Sequence, residues 1–381
     1  MRYKLTCLTP LLVGDGRKLS AIDYMVWKDQ VNVLDQRRIF KLLAKGPRLD
    51  GYLSQLKRAD KLDFASWGGF AQNFADRRIP FETPAYSAYW NRASGEPLNI
   101  PTFAAGASGP YLPGAAIKGS LRTGLVFANT KEGMLRDVAA RMQGERLPRH
   151  PAGATEDQAI GPAGLSRMRL VSAGDSAPID PVVFKIYLLR TATLQARPGG
   201  FALGWKQSPR GAVDGAKPED STPAFAEMAP AGTVFGGDWQ EKGFFTQPEI
   251  RRAVRWQEWF DRSKMFEAAN DYSAKLLGLH KQHAEWTRLE LLGGAIAELE
   301  AKLAEARERG ACVLSLGWGG GLLGKSAWLD TSNQEYREIL RHLSLYSNAL
   351  NSNLPFPKTR RIVFLSNKPA TLPGWALLEV E

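Results

Sequence analysis

The stretch "LSLGWGGGLLGKSAWL", residues 314–329, raises the question whether this chain has the parallel-sheet fold of nucleotide hydrolases or another fold. Within it, residues 319–326 match G-x-x-x-x-G-K-[ST], the phosphate-binding loop of nucleotide hydrolases. That loop works in an open parallel sheet whose later strands supply further catalytic groups. Only 55 residues follow Ser326, and their one clear strand pattern, "RIVFLS", ends without a metal-binding aspartate. Since a single parallel crossover takes about a dozen residues, the sequence favours a different fold.

The rest of the chain mixes strand and helix patterns without regular β-α-β alternation. "RYKLTCL" (2–8) alternates polar and apolar side chains as a strand does, and "DYMVWKDQVNVLD" (23–35) predicts a hairpin. The clearest helix has apolar residues at 3-4-3-4 spacing from Leu289 to Leu303, and Gly310 follows as its stop signal. This mixture predicts an α+β fold with antiparallel sheets.

Composition shifts predict four portions along the chain. The last of these portions holds the glycine-rich loop and a strand at 359–366, which is expected to be the last or penultimate strand of the chain. The predicted portions are a basic N-terminal portion (1–150), a strand-rich portion (151–245) with a mobile surface loop near 206–231, a helical insertion (246–310) and C-terminal strands (311–381).

The charge of the chain points to a polyanionic partner. The 381 residues carry a formal net charge of +11, and residues 1–150 hold 23 Lys and Arg against 13 Asp and Glu. Two cysteines, Cys7 and Cys312, exclude a disulfide framework and a cysteine-rich zinc site. No run of apolar residues is long enough to span a membrane, and no signal peptide precedes the first strand, so we expect a cytoplasmic protein.

The segment "YLPGAAIKGSLRTGL" (111–125) is a candidate anion site. A helix is predicted to begin just after Gly114, which leaves backbone N–H groups facing outward. Lys118 and Arg122 lie four residues apart on one face, with Gly119 and Ser120 between them. Such a site suits a phosphodiester backbone, because it needs charge and N–H donors but no base-specific contacts. An ordinary helix start with two solvated cations explains the same residues equally well.

Two C-terminal segments are further candidates for contact with a phosphate backbone. Glycine lets one backbone approach another closely, and a lysine adds charge in the same loop. Trp318 could stack on a base, although a core position is the better prediction. In "FPKTRRIVFLSN" (356–367) the cations could instead protect a sheet edge. The candidate residues are Gly317, Gly319, Gly320, Gly321, Gly324, Lys325 and Ser326 in the loop, and Lys358 and Arg360 in the C-terminal segment.

No catalytic or metal site is predicted. His280 and His283 lie three apart on a predicted helix, but no third ligand accompanies them at zinc-like spacing, which favours a surface or core pair. No Ser/His/Asp arrangement is recognisable, and no histidine precedes residue 150, which weakens metal-independent RNA cleavage by an N-terminal histidine. We therefore expect no catalytic residues, no metal and no cofactor.

Taken together, these segments resemble the RAMP superfamily of CRISPR effector proteins. The resemblance rests on "LTCLTPLLVGDG" near the N-terminus, "PGAAIKGSLR" at the helix start and "GWGGGLLGKS" late in the chain. Within the superfamily, "APAGTVFGGDW" and the closing "FPKTRRIVF…LPGWALLEV" are most similar to subunit five of type III-A (Csm) complexes. The loop departs from that pattern, since "GLLGKS" stands where relatives more often carry an aromatic residue and Ser-Lys-Thr.

The resemblance implies ferredoxin-like, RRM-related domains and a role without catalysis. It implies a filament-capping subunit that binds the 3′ part of the CRISPR RNA and supports its maturation and antiviral defence. The implied partners are that RNA, the repeating RAMP backbone subunit and the small helical subunit, with target RNA nearby. Gly14, Asp15, Gly16 and Arg17 would then contribute RNA contacts. A RAMP endoribonuclease that processes CRISPR RNA and a nucleotide hydrolase are the alternative functions.

Overall fold

The structure is a computed structural model, and it describes residues 1–44, 46, 48–58, 61–62, 73–131, 133–143, 149–208, 213–256, 259–343, 346–352 and 354–381. The strands are β1 (Arg2–Cys7), β2 (Lys18–Leu19), β3 (Tyr24–Trp27), β4 (Gln30–Leu34), β5 (Ala75–Pro80), β6 (Ile100–Pro101), β7 (Ala105–Gly106), β8 (Gly109–Pro110), β9 (Val171–Ser176), β10 (Lys185–Arg197), β11 (Gly200–Trp205), β12 (Ala224–Met228), β13 (Val234–Glu241), β14 (Cys312–Ser315), β15 (Thr359–Leu365), β16 (Lys368–Thr371) and β17 (Trp375–Val380). The helices are α1 (Gln36–Leu43), α2 (Leu49–Arg58), α3 (Tyr86–Arg92), α4 (Gly114–Ala128), α5 (Met134–Met142), α6 (Gly153–Ile160), α7 (Pro248–Ala253), α8 (Arg262–Thr287), α9 (Glu290–Glu308), α10 (Gln334–His342) and α11 (Ser347–Leu350).

The central sheet has the order β14-β17-β1-β13-β9, and its described pairs are all antiparallel. β1 lies in the middle, where Leu5 is opposite Phe235 of β13 on one side and Leu378 of β17 on the other. With α4 between β1 and β9, and α8 between β13 and β17, this is the β-α-β-β-α-β arrangement of a ferredoxin-like domain, extended at one edge by β14. The predicted α+β fold is confirmed.

Small residues bring α4 and α8 into close contact on this sheet. A Cβ added to Gly124 of α4 would lie 2.7 Å from the Cα of Ala269 in α8, closer than side-chain atoms approach a backbone. The apolar face of α4, including Ile117 and Leu121, is fully buried against the same core. This packing fixes the position of the first turns of α4 relative to the end of β14.

A second sheet forms around the long strand β10. β10 pairs with β12 near its start, with β11 near its end and with β15 along its middle, all antiparallel, and β16 continues the sheet beyond β15. Because β10 and β15 belong to different predicted portions of the chain, the second sheet, like the central one, combines distant segments. The four-portion division describes the order of elements along the chain and remains a prediction as a division into domains.

Several elements differ from those predicted. The loop predicted near 206–231 contains β12, whose residues Ala224–Met228 pair with β10; residues 209–212 lie outside the described ranges. The strand at 359–366 is followed by both β16 and β17, so it is neither last nor penultimate. Within the part of the chain that the structure describes, none of the helices combines the length and apolar character needed to cross a lipid bilayer.

Candidate nucleic-acid interface

The glycine loop, residues 317–326, packs directly on the loop that follows β1. Gly317 has φ +77°, and a Cβ at this position would lie 2.1 Å from the carbonyl oxygen of Leu12. The next residue, Trp318, donates its backbone N–H to the same oxygen at 2.7 Å. Because only glycine tolerates both the positive φ and the close approach, Gly317 fixes the path of the loop.

The first turns of α4 contact the base of the glycine loop. The Ser120 hydroxyl donates a hydrogen bond to the backbone oxygen of Ser315, the last residue of β14, at 3.0 Å. Three predicted segments therefore meet here: the loop after β1, the helix start and the glycine loop. They are separated by about one hundred and two hundred residues in the sequence, and the central sheet brings them together.

A basic cleft of about 840 Å³ lies between the glycine loop and the C-terminal strand β15. Gly319, Gly320 and Gly321 form part of one wall, and residues 356–361 form another. No Asp or Glu is among the described residues of its lining, which gives the cleft a uniformly positive character. Its charged lining residues are Lys206, Lys358, Arg360 and Arg361.

Arg361 is the most available arginine of this basic cleft. Its guanidinium lies over the ring of Trp318, 4.2 Å from the ring centroid, and it forms no hydrogen bond or ion pair with another described residue. Burial lowers the pKa of Arg361 from its usual value. Trp318 itself is half-buried and packs against the core of the central sheet. The stack holds the guanidinium in place while its donors remain unused.

Arg360, by contrast, points into the protein and supports the structure. It is 8% exposed, and it donates to His280 Nδ1 at 3.0 Å and to the backbone oxygen of Pro357 at 2.7 Å. Burial, together with the charge of Arg360, lowers the pKa of His280 well below its ordinary value, so His280 is a neutral acceptor. Arg360 therefore carries a buried positive charge whose described partners are all neutral.

The second histidine of the pair is also a buried residue. His283 Nε2 donates to the backbone oxygen of Lys358 at 3.1 Å, and its Nδ1 has no partner among the described residues. Burial lowers the pKa of His283 to about 3. His280 thus joins α8 to Arg360, and His283 joins it to the Lys358 carbonyl, which matches the core position weighed from the sequence.

The helix start is partly occupied by internal contacts. The backbone N–H of Gly114 donates to Asp175 Oδ1 at 2.9 Å, so it does not face outward as predicted. Arg122 forms an ion pair with Glu156. Lys118 is half-buried and forms no hydrogen bond or ion pair with the described residues. Burial and then the nearby charge of Lys242 lower the pKa of Lys118, so two cations lie near each other at this end of the helix.

The predicted residues of the loop after β1 and of the end of the glycine loop lie outside the lining of the basic cleft. Asp15 and Arg17 are exposed and bind each other, with Arg17 Nε 3.3 Å from Asp15 Oδ2. Gly14 packs on the carbonyl oxygen of Thr102, and Gly16 is exposed with φ +92°. Lys325 is exposed at the far end of the glycine loop, and Gly324 lies against the hydroxyl of Ser315.

The loop does not have the geometry of a nucleotide-hydrolase site. A single 3₁₀ turn, Leu323–Lys325, stands where the phosphate-binding helix would begin, and α10 starts only at Gln334. The Ser326 hydroxyl donates to the backbone oxygen of Trp328 at 2.9 Å. Because β14 is an edge strand paired antiparallel to β17, the parallel sheet that such a site needs is not formed here.

Arg361 was not among the candidate residues predicted from the sequence, and no local pattern separates it from Arg360. Successive side chains of a strand point to opposite faces. Arg360 shares its face of β15 with Ile362 and Phe364, whereas Arg361 shares its face with Val363, and all three apolar residues are buried. The contacts of the folded chain, and not the side-chain pattern of "TRRIVFL" (359–365), therefore distinguish the supporting arginine from the available one.

Comparisons with known proteins agree with this architecture. The family model of the RAMP superfamily matches residues 4–191, whereas curated proteins give no match. A chain from a cryo-EM structure of a Csm-crRNA-target RNA ternary complex in a type III-A CRISPR-Cas system superposes with a TM-score of 0.70 at 18% identity, covering 100% of both chains. The crystal structure of T. onnurineus Csm5 superposes with a TM-score of 0.61 at 16% identity, covering 98% of this chain and 99% of that one. The match of residues 4–191 to the RAMP superfamily model, together with these superpositions, confirms the resemblance predicted from the motifs.

Proposed function

We propose that this chain is a CRISPR RNA-binding, filament-capping subunit of a type III-A effector complex. It binds the 3′ part of the CRISPR RNA, contacts the repeating RAMP backbone subunit and the small helical subunit, and lies near target RNA. In this role it supports RNA maturation and antiviral defence in the cytoplasm. The names of the structural neighbours, a Csm-crRNA-target RNA ternary complex and Csm5, support a place in such a complex. The capping position and the contact with the 3′ part of the RNA come from the resemblance of the sequence motifs.

The observation that carries the proposal is the basic cleft in a chain of this fold. Its cationic lining, with no carboxylate among the described lining residues, suits a polyanion. Open space beside Gly321 lets a phosphate backbone come close to the protein backbone, and Arg361 supplies an unpaired guanidinium. These contacts address phosphates rather than bases, so binding is weakly sequence-specific and strongly salt-dependent.

We propose that the subunit acts by binding and not by catalysis. The histidines nearest to the basic cleft, His280 and His283, are neutral and committed to contacts with Arg360 and the Lys358 carbonyl. A general acid–base pair needs a group poised near the operating pH, and burial moves the pKa of both histidines away from that range. This supports an RNA-holding role for the cleft.

Assembly of the effector complex tests the proposal. The other subunits and full-length CRISPR RNA are purified with this chain, and the retained RNA is sequenced at its 3′ ends. We expect the wild-type chain to yield a narrow set of 3′ ends. Arg361→Gln together with Lys358→Gln should broaden that set or release the chain from the complex.

Matched variants separate this effect from a general loss of charge. Arg197→Gln with Lys275→Gln removes two exposed cations outside the basic cleft and should leave the 3′ ends unchanged. An unaltered set of 3′ ends and full retention of the cleft variant would refute the RNA-holding role. Cleavage of the RNA by the purified chain alone would favour the endoribonuclease instead.

A further inference from the structure

The basic cleft carries more positive charge than one phosphodiester requires. Of its four cations, Lys206 is compensated by Asp214, with Lys206 Nζ 3.6 Å from Asp214 Oδ1. Lys358, Arg360 and Arg361 remain without a carboxylate partner among the described residues. A phosphodiester carries a single negative charge, whereas a terminal phosphomonoester carries about −1.5 to −2 at pH 7.

The three uncompensated cations differ in what they offer a ligand. Arg360 is buried and hydrogen-bonded only to neutral groups, so it contributes a fixed positive field rather than free donors. Arg361, stacked on Trp318, offers a planar fork of donors that matches phosphate oxygens. Lys358 supplies a mobile ammonium at the entry of β15. A small, doubly charged group would be stabilised by the buried charge of Arg360, the planar guanidinium of Arg361 and the ammonium of Lys358.

The dimensions of the cleft fit one end of a chain. Its volume of about 840 Å³ is within the range of sites that enclose a small molecule or cofactor, roughly 300–1,000 Å³. The rings of Tyr346 and Phe356 meet edge to face at 5.5 Å and form an apolar part of the lining. A ribose or base can lie against these rings while its phosphate reaches the cations.

We propose that the basic cleft is a terminal-phosphate site, which holds the phosphomonoester at the 3′ end of a bound RNA. The inference rests on the proposed function for the choice of the 3′ end, since the chemistry alone fits any phosphomonoester. Arg361 and Lys358 contact the phosphate oxygens, and Arg360 raises the local positive potential without contact. The cleft therefore distinguishes a phosphorylated RNA end from a hydroxyl end.

Binding of short RNAs by the full-length chain tests the inference. One single-stranded sequence, labelled at its 5′ end, is prepared with a 3′-phosphate and with a 3′-hydroxyl, and dissociation constants are measured by fluorescence anisotropy. We expect the 3′-phosphate RNA to bind about tenfold more tightly, the effect of one additional charge-assisted contact. Arg361→Gln should reduce that ratio to about one, while Arg197→Gln, an exposed arginine at the far end of β10, should preserve it.

Competition distinguishes the sources of the phosphate. Inorganic phosphate and the same RNA carrying only a 5′-phosphate should displace the 3′-phosphate RNA at least about tenfold less well than unlabelled 3′-phosphate RNA does. Equal displacement by either would overturn the assignment to the 3′ end. Equal affinity of wild type for 3′-phosphate and 3′-hydroxyl RNA would overturn the inference and leave the proposed function standing. Failure to bind either RNA would overturn the proposed function as well.

A second variant of Arg361 keeps the inference testable if Arg361→Gln fails to fold. Arg361→Lys keeps the charge and loses the planar fork, so it should retain RNA binding and lose most of the preference for the 3′-phosphate. Thermal unfolding of each variant shows whether the fold is intact. A preference that persists in a folded Arg361→Gln protein would contradict the role given to this residue.

Discussion

Ser120 in α4 and Ser315 at the end of β14 are 195 residues apart in sequence and share a hydrogen bond of 3.0 Å. This contact joins the helix start that carries Lys118 to the base of the glycine loop. It explains how two glycine-containing segments, predicted separately as phosphate neighbours, occupy one region. The geometry of the region depends on a small number of such contacts, and each can be tested.

Removal of the Ser120 hydroxyl should weaken the contact between α4 and the base of the glycine loop. Ser120→Ala leaves the Ser315 carbonyl without this donor, so we expect the free energy of unfolding to fall by about 1 kcal/mol. Chemical denaturation measures the change, and hydrogen exchange in residues 317–321 should become faster. Ser263→Ala, at an exposed position in α8, should change the unfolding free energy by less than about 0.5 kcal/mol. Equal effects of the two substitutions would contradict the structural role of this hydrogen bond.

Two glycines of the same loop should respond differently to alanine. Gly317→Ala places a Cβ 2.1 Å from the Leu12 oxygen at a positive φ, so it should lower the free energy of unfolding by about 3 kcal/mol. Gly321→Ala also has a positive φ but meets open space, and it should lower it by about 1 kcal/mol. Denaturant titration compares the two. A smaller loss at Gly317 than at Gly321 would show that the loop after β1 does not pack as described.

Lys118 and Arg122, predicted as a pair, should contribute unequally to RNA binding. Lys118 is unpaired among the described residues, whereas Arg122 already binds Glu156. Lys118→Gln should weaken single-stranded RNA binding about tenfold, and the slope of log K against log salt should shrink by about 0.7. Arg122→Gln should have a smaller effect.

Salt titrations by fluorescence anisotropy measure both quantities for Lys118. Lys275→Gln, at an exposed position in α8, is the matched control and should leave the salt slope unchanged. If Arg122→Gln weakens binding more than Lys118→Gln does, Arg122 must leave Glu156 to bind RNA. Lys118 would then not be the main RNA-binding cation of this helix.

The buried histidines should make the fold sensitive to mild acid. Burial lowers the pKa of His283 to about 3, so the folded state leaves it neutral while the unfolded chain protonates it near its usual value of 6.5. Stability is therefore complete above about pH 6.5 and falls as the pH drops below it, with a slope approaching about 1.4 kcal/mol per pH unit for each such group. Urea unfolding between pH 7 and 5 measures the slope.

Replacement of His283 tests the source of that slope. His283→Gln keeps an N–H donor for the Lys358 carbonyl and removes the titration, so stability should vary less with pH than in the wild type. His342→Gln, at an exposed position in α10, should leave the wild-type slope in place. An unchanged slope in His283→Gln would contradict its neutrality in the folded state.

Local signals in the sequence predicted many elements of this fold. The alternation in β1, the hairpin of β3 and β4, and the apolar spacing with a glycine stop in α9 are all short-range patterns, and each is confirmed. These elements were predictable because their backbone and burial preferences lie within a few neighbouring residues.

The arrangement of these elements in three dimensions was harder to predict from the sequence. β17 pairs with β1 although the two strands come from opposite ends of the chain, and no local pattern specifies that partner. β12 lies in a segment whose Pro, Gly and Ala content predicts a loop, and its pairing with β10 overrides that preference. The ion pair of Arg122 with Glu156 and the burial of Arg360 are tertiary effects of the same kind. The sequence thus predicted which segments form the candidate site. The structure shows which cations in them are free to bind a ligand and which are already paired or buried.

Crosslinking tests the central claim, that the glycine loop and the entry of β15 hold RNA. CRISPR RNA carrying 4-thiouridine in its 3′ part is bound to the assembled complex, irradiated, and the crosslinked peptides of this chain are identified by mass spectrometry. We expect crosslinks in residues 317–326 and 358–361, and their loss in the Arg361→Gln, Lys358→Gln variant. Crosslinks confined to other surfaces of the chain, with neither segment labelled, would contradict the account.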